Sequence, residues 1–144
     1  MFAIALAVCT FAPPKDPPKV VAQSTVPLSG GSAVIRNDRD LGLNNLSNAP
    51  TAKVKTRLAS NLKVAGIDWD KHTVVCINGG KLKKAGMSIE LKALEVKDGK
   101  LVVHWKYNET GGKPDQLYAE LVLLLERFDG EIVFDPVPTA QNDK

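Results

Sequence analysis

Two histidines and two cysteines, His72, His104, Cys9 and Cys76, are the side chains of this 144-residue sequence best suited to nucleophilic or acid–base work. A thiol and an imidazole act as nucleophile and base when the thiol faces a cleft and a third group orients the ring. Cys76 instead lies in the apolar run Val74, Val75, Cys76, Ile77, where cysteine behaves as a small buried hydrophobe. No CxxC or HxxxH spacing occurs, so the chain offers no zinc pattern. No catalytic residue, no metal and no cofactor is expected.

Carboxylates give the same answer. Asp68 and Asp70 bracket Trp69, but at i and i+2 they share a face only in extended chain, and no third oxygen ligand accompanies them. A capped turn with Trp69 packed inward is the simpler reading. Asp38 and Asp40 lack the glycine and terminal glutamate of a calcium loop. Gly111, Gly112 and Lys113 lack the spacing of a phosphate loop. Asn108, Glu109, Thr110 forms a glycosylation sequon, meaningful only in a secreted eukaryotic chain. What stands out is Lys81, Lys83 and Lys84, a positive cluster between glycines. No aromatics alternate with these lysines as a single-stranded nucleic-acid platform requires. An electrostatic contact with an acidic protein is the functional alternative to a merely solvated loop.

The elements that must carry these residues follow from periodicity. At this length, with 44% hydrophobic and 24% charged residues, the chain has the composition of one globular domain able to bury an ordinary core. Nineteen basic against 16 acidic residues leave a net charge of +3, too small an excess to argue for nucleic acid. The apolar start is far short of the ~20 residues that a membrane-spanning helix needs. Residues 1–12, MFAIALAVCTFA, resemble the apolar part of a secretory signal peptide without its charged n-region, so export to the periplasm or cell envelope is expected. Val8 before Cys9 is bulkier than a lipid-attachment site tolerates, and no lipidation is expected. Residues 13–32, rich in Pro, Ser and Gly, read as a tether, with the folded body running over 33–136 and a fraying tail at 137–144.

Within that body, 33–36 reads as an edge strand, and Asn37 or Asp38 caps a brief helical turn through 39–43. Val54, Leu58 and Leu62 repeat every four residues, which predicts a helix over 52–64 with Thr51 as N-cap and Gly66 as a left-handed C-cap. Beyond Gly66 the period becomes two. The run 73–77 predicts a strand covered on both faces, broken by Asn78, Gly79 and Gly80. Met87, Ile89 and Leu91 alternate with polar residues, then Leu94 and Val96 continue on the opposite parity, which requires a bulge near Lys92 and Ala93. Asp98-Gly99 accepts the positive φ angles of a type I′ turn and returns the chain as a strand with Leu101, Val103, Trp105 and Tyr107 on one face. Residues 117–126 have helix-favouring composition but fit a short buried strand between a hairpin and the Asp129-Gly130 turn, and the strand reading is preferred. Ile132, Val133 and Phe134 follow. The fold class is therefore mainly β (α+β): a small antiparallel sheet or sandwich with one helix on its N-terminal side.

Residues 68–136 resemble the carboxy-terminal domain of the PrcB family, bacterial envelope proteins named for a subunit of a surface protease complex. The likeness is carried by Ile67-Asp68-Trp69, by the strand and glycine loop of 73–80, and by Gly86-Met87-Ser88-Ile89-Glu90-Leu91. It continues in EVKDGKLVV at 95–103 and the Arg-Phe-Asp-Gly turn at 127–130. Where the family has Pro-Thr-Gly-Gly-Tyr entering its middle strand, this chain has Lys83, Lys84, Ala85, Gly86 and Met87, keeping only the glycine. The loop is also similar in placement to a binding loop of chagasin-type cysteine protease inhibitors, an analogy of position alone.

Resemblance and residues together imply a non-catalytic, exported module that binds a protein, a protease or an envelope complex, without nucleic acid or a membrane span. The expected partner loop comprises Asn78, Gly79, Gly80, Lys81, Lys83, Lys84, Gly86 and Met87. A protease inhibitor acting through this loop is the alternative. A hydrolase would need His72, His104 and Cys76 to converge in one pocket.

Overall fold

The computed structural model describes residues 16–115 and 118–138. The apolar start 1–12 with Cys9, the residue Leu117 at the head of the late strand, and the tail beyond residue 138 lie outside the described residues. Seven strands and two helices follow in the order β1 (Val20–Ser24), β2 (Ala33–Ile35), α1 (Asp38–Leu43), α2 (Thr51–Asn61), β3 (His72–Lys81), β4 (Ser88–Lys97), β5 (Lys100–Asn108), β6 (Tyr118–Glu126) and β7 (Ile132–Asp135). They form a four-stranded sheet in the order β1-β6-β3-β2 and a three-stranded sheet in the order β4-β5-β7. The fold is mainly β, as the periodicity predicts.

The two long apolar runs are explained by their position at the middle of the first sheet. β3 and β6 pair antiparallel, with Val74 opposite Leu124, Val75 opposite Leu123 and Cys76 opposite Val122. Val74, Cys76, Val122 and Leu124 pack with Val54, Leu58 and Leu62 from the helical side. Val75, Ile77, Leu121, Leu123 and Leu125 pack with Leu101, Val103 and Trp105 of the second sheet. Both faces of these strands are covered, so alternation gives way to continuous hydrophobicity. Each such side chain, fully buried, stabilises the fold by about 1.5–3 kcal/mol. A strand reading for 118–126 is therefore correct, and helix-favouring composition is overridden by pairing on both edges.

The hairpin of β4 and β5 has the expected turn, with Asp98 at φ 53° and Gly99 at φ 76°. Its register slips between Leu91 and Ala93, leaving Lys92 as the extra residue of a bulge. β7 pairs parallel to β5, so the second sheet is mixed rather than wholly antiparallel.

Four expectations need correction. The segment read as a tether contributes β1, which pairs with β6 from Val20 to Ser24, so the sheet begins well before residue 33. Its flanking prolines, Pro17, Pro18 and Pro27, mark the ends of an edge strand, where a missing amide is tolerated. Helix α2 begins at Thr51 after Pro50, with no side-chain cap, and its last turn closes on Leu62. The left-handed residue beyond it is Lys63, at φ 57°, not Gly66. β3 does not break at Asn78 but continues through Gly79 and Gly80 to Lys81, absorbing the irregularity as a register shift between Asn78 and Gly80.

Candidate functional site

The eight residues expected in the partner loop divide between strand and connection. Asn78, Gly79 and Gly80 are buried in the β3–β6 ladder. The Asn78 amide donates to Ser32 Oγ at 2.9 Å, and its side-chain carbonyl accepts from the Gly80 N–H at 2.8 Å. Gly79 is required by close packing: a Cβ there would lie 2.9 Å from Ile89 Cγ2 and 3.2 Å from Tyr107 Cε1. These three residues hold the end of the sandwich together and present no side chain outward. Their part in the expected partner loop is corrected to scaffold.

Lys81, Lys83 and Lys84 are exposed, while Gly86 and Met87 are half-buried. Leu82 drops into the inter-sheet core between the lysines, and Met87 packs against the same core. Leu82 thus clamps the connection, and the lysines on either side of it stand outside. The connection is braced from the neighbouring loop by the Gly112 N–H, which donates to the Gly86 carbonyl at 2.9 Å. Ser88 Oγ donates to the Thr110 carbonyl at 2.6 Å. A Cβ on Gly112 would lie 1.9 Å from the Met87 carbonyl oxygen, so only glycine permits this approach. Gly112, dismissed as part of a phosphate loop, is a spacer between two backbones.

Two aromatics that sequence spacing does not associate with the lysines are brought to them by the fold. Tyr118 pairs with Lys81 across the β3–β6 ladder. Tyr107 lies across Gly79, donating its hydroxyl to the Gly79 carbonyl, with its ring edge-on to Trp105 at 5.2 Å. Both tyrosines are nearly half exposed. Among the described residues, Lys81, Lys83, Lys84 and Lys113 form no ion pair. The end of the sandwich is therefore a basic surface with aromatic flanks, on a braced backbone.

The residues considered for catalysis do not come together. Cys76 is fully buried on the helical side, and burial, reinforced by the charge of Glu120, pushes its thiol pKa far above the ordinary value. His72 Nδ1 accepts from the Asp68 N–H at 3.1 Å at the opposite end of β3. His104 stands on the outer face of the second sheet between Glu95 and Asp135, 3.0 Å from each. That bridge ties β4, β5 and β7 together. Asp68 caps its own turn by accepting from the Asp70 N–H at 3.0 Å, as the capped-turn reading requires. Trp69 packs against the helical core and donates from Nε1 to Asp38 at 2.8 Å. This bond, with Lys55 nearby, holds the Asp38 carboxyl below the usual range.

A further residue escapes sequence reasoning. Glu120, the third residue of the apolar β6, is only 3% exposed and accepts from the N–H groups of Leu28 and Ser29 and from Ser29 Oγ. The signal for it is an acid flanked on both sides by apolar residues in LYAELVLLLE, unlike the terminal Glu126; a buried strand admits such an acid only when the carboxylate has dedicated donors.

Among the described residues no group of three His, Cys, Asp or Glu side chains is placed to hold a metal ion, and no helix is long and apolar enough to cross a membrane. No protein-family model, curated protein or solved structure matches this chain.

Proposed function

We propose that the chain is a non-catalytic protein-binding module of the bacterial cell envelope, an accessory subunit of PrcB-like type, whose working surface is the β3–β4 connection. One observation carries the reading: Lys81, Lys83 and Lys84 stand exposed without an ion pair among the described residues, on a connection fastened by Leu82 and Gly86, beside Tyr107 and Tyr118. Long cations on a fixed backbone lose less freedom on binding than they would on a loose loop, and tyrosines supply contact area at low entropic cost. An acidic face on another protein is the complementary partner. Export and the PrcB-like assignment rest on the apolar start and on the motifs of 68–136.

The experiment is retention of envelope proteins on the immobilised chain. A specific protein should be held at mild salt and released as ionic strength rises, and the K81E/K83E/K84E variant should fail to hold it. An empty eluate, or equal retention by the variant, contradicts the proposal. Action as a protease inhibitor is the second use of the same connection, shortened to 82–87 because Asn78, Gly79 and Gly80 belong to the ladder. Titration against cysteine and serine proteases separates the two, since a pure adaptor leaves every rate unchanged.

A further inference from the structure

On the helix-covered side of the four-stranded sheet lies a cavity of about 280 Å³, walled by the segment that follows β1, by the turn that follows α1, and by α2. Its floor is aliphatic, made of Leu28, Val54 and Leu58. Its rim carries Val26 and Leu46, which leave 43% and 63% of their surface in water.

The walls are fixed independently of any occupant. The Leu28 N–H is taken by the buried Glu120 carboxylate, and the Leu28 carbonyl accepts from the Leu46 N–H at 3.0 Å. The adjoining turn is closed by Asn45, which accepts from the Ser47 N–H at 2.9 Å and donates to the Ser47 carbonyl at 2.8 Å. A hollow set by such bonds is preformed, and a ligand entering it bears little of the ordering cost.

Arg57 is the one charged residue among those lining the hollow, and no described carboxylate pairs with it. Asn61, one turn further along α2 and on the same face, also lines it and has no described hydrogen-bond partner for its side-chain amide. An aliphatic hollow thus has two unspent donors beside it, one of them a guanidinium, the side chain that matches a carboxylate with paired N–H bonds.

We propose that this cavity binds a short aliphatic carboxylate. The hydrocarbon lies against Leu28, Val54 and Leu58 and covers Val26 and Leu46, and the carboxylate is received by Arg57 with Asn61 beside it. The volume sits at the small end of ligand sites, which suits a short hydrocarbon better than a long acyl tail. A free short-chain acid and the C-terminal residue of a peptide ending in leucine share this chemistry.

The test is amide NMR titration of the full chain with 4-methylpentanoate, with 4-methylpentanamide, and with an acetylated peptide ending in Leu with a free carboxylate. The acid should bind with a dissociation constant of about 1 mM and shift the amides of Leu28, Leu46, Val54 and Leu58. The neutral amide should bind at least about tenfold more weakly. Arg57→Gln should lose at least about tenfold for the acid with an unchanged spectrum of the unliganded protein, and Arg57→Lys should retain part of the affinity. Tighter binding of the peptide identifies a chain end as the source, and tighter binding of the acid identifies a free metabolite. The proposal is overturned if acid and amide bind equally, if Arg57→Gln binds as the wild type does, or if no residue of the cavity shifts.

Discussion

The hydroxyl of Tyr107 donates to the carbonyl of Gly79, and its ring edge, with Ile89 Cγ2, closes the space that a side chain at position 79 would need. The bond joins the return strand of the hairpin to the central strand of the other sheet, at the end of the sandwich that bears the lysines. Gly79→Val should therefore cost about 1–3 kcal/mol through overpacking against Ile89 and Tyr107. Tyr107→Phe should cost about 0.5–1.5 kcal/mol through the lost hydrogen bond. Urea midpoints measure both, and a neutral Gly79→Val would show that the sheets are not in contact here.

The Glu120 carboxylate is the only described acceptor for the N–H groups of Leu28 and Ser29. Glu120→Ala leaves these donors without a partner and should lower stability by about 2–3 kcal/mol, whereas Glu120→Gln, which keeps an acceptor oxygen, should cost less. Amide hydrogen exchange at Leu28 and Ser29 should accelerate in Glu120→Ala well beyond the change at Val75 in the core. Uniform acceleration would mean that Glu120 does not anchor the segment that follows β1.

Cys76 should resist alkylation in the native protein at pH 8 and react only on unfolding, because burial both shields the thiol and raises its pKa. Peptide mapping after iodoacetamide treatment reads this residue separately from Cys9. Rapid native labelling at Cys76 would place the thiol at a surface and reopen a chemical role for it.

Asp38 makes the stability of the α1 region depend on pH. Its folded pKa is lowered by the Trp69 hydrogen bond and then by Lys55, so its contribution is in place above about pH 4 and is lost as pH falls through the lowered value. Asp38→Asn should be less stable than the wild type at pH 7, with the gap closing in acid. Because about two thirds of the Asp38 side chain is exposed, 66%, the gap should be small and should shrink further in salt. A gap that widened below pH 4 would reverse the sign of the interaction.

Local pattern and tertiary pairing contributed differently to what was legible. The β4–β5 hairpin is legible to within a residue at its ends, because the Asp98-Gly99 turn and the parity change near Lys92 and Ala93 are local signals. The double-sided burial of β3 was equally clear from its unbroken hydrophobicity. By contrast, β1 is five residues of edge strand between prolines, and only its pairing with β6 distinguishes it from a tether. The passage of β3 through Gly79 and Gly80 was hidden for a related reason. Glycines that break an isolated strand are required where Tyr107 and Ile89 press upon it. At the candidate site the lysines were legible and the tyrosines were not, since Tyr118 meets Lys81 only across the β3–β6 ladder.

The most direct measurement places a photo-crosslinking amino acid at position 84 on the β3–β4 connection, or at position 53 on the exposed face of α2, and irradiates each protein in envelope extract. The account predicts one discrete crosslinked protein from position 84, suppressed by added salt, and none of that mass from position 53. Equal labelling from both positions, or labelling from position 53 alone, would contradict a working surface at Lys81, Lys83 and Lys84.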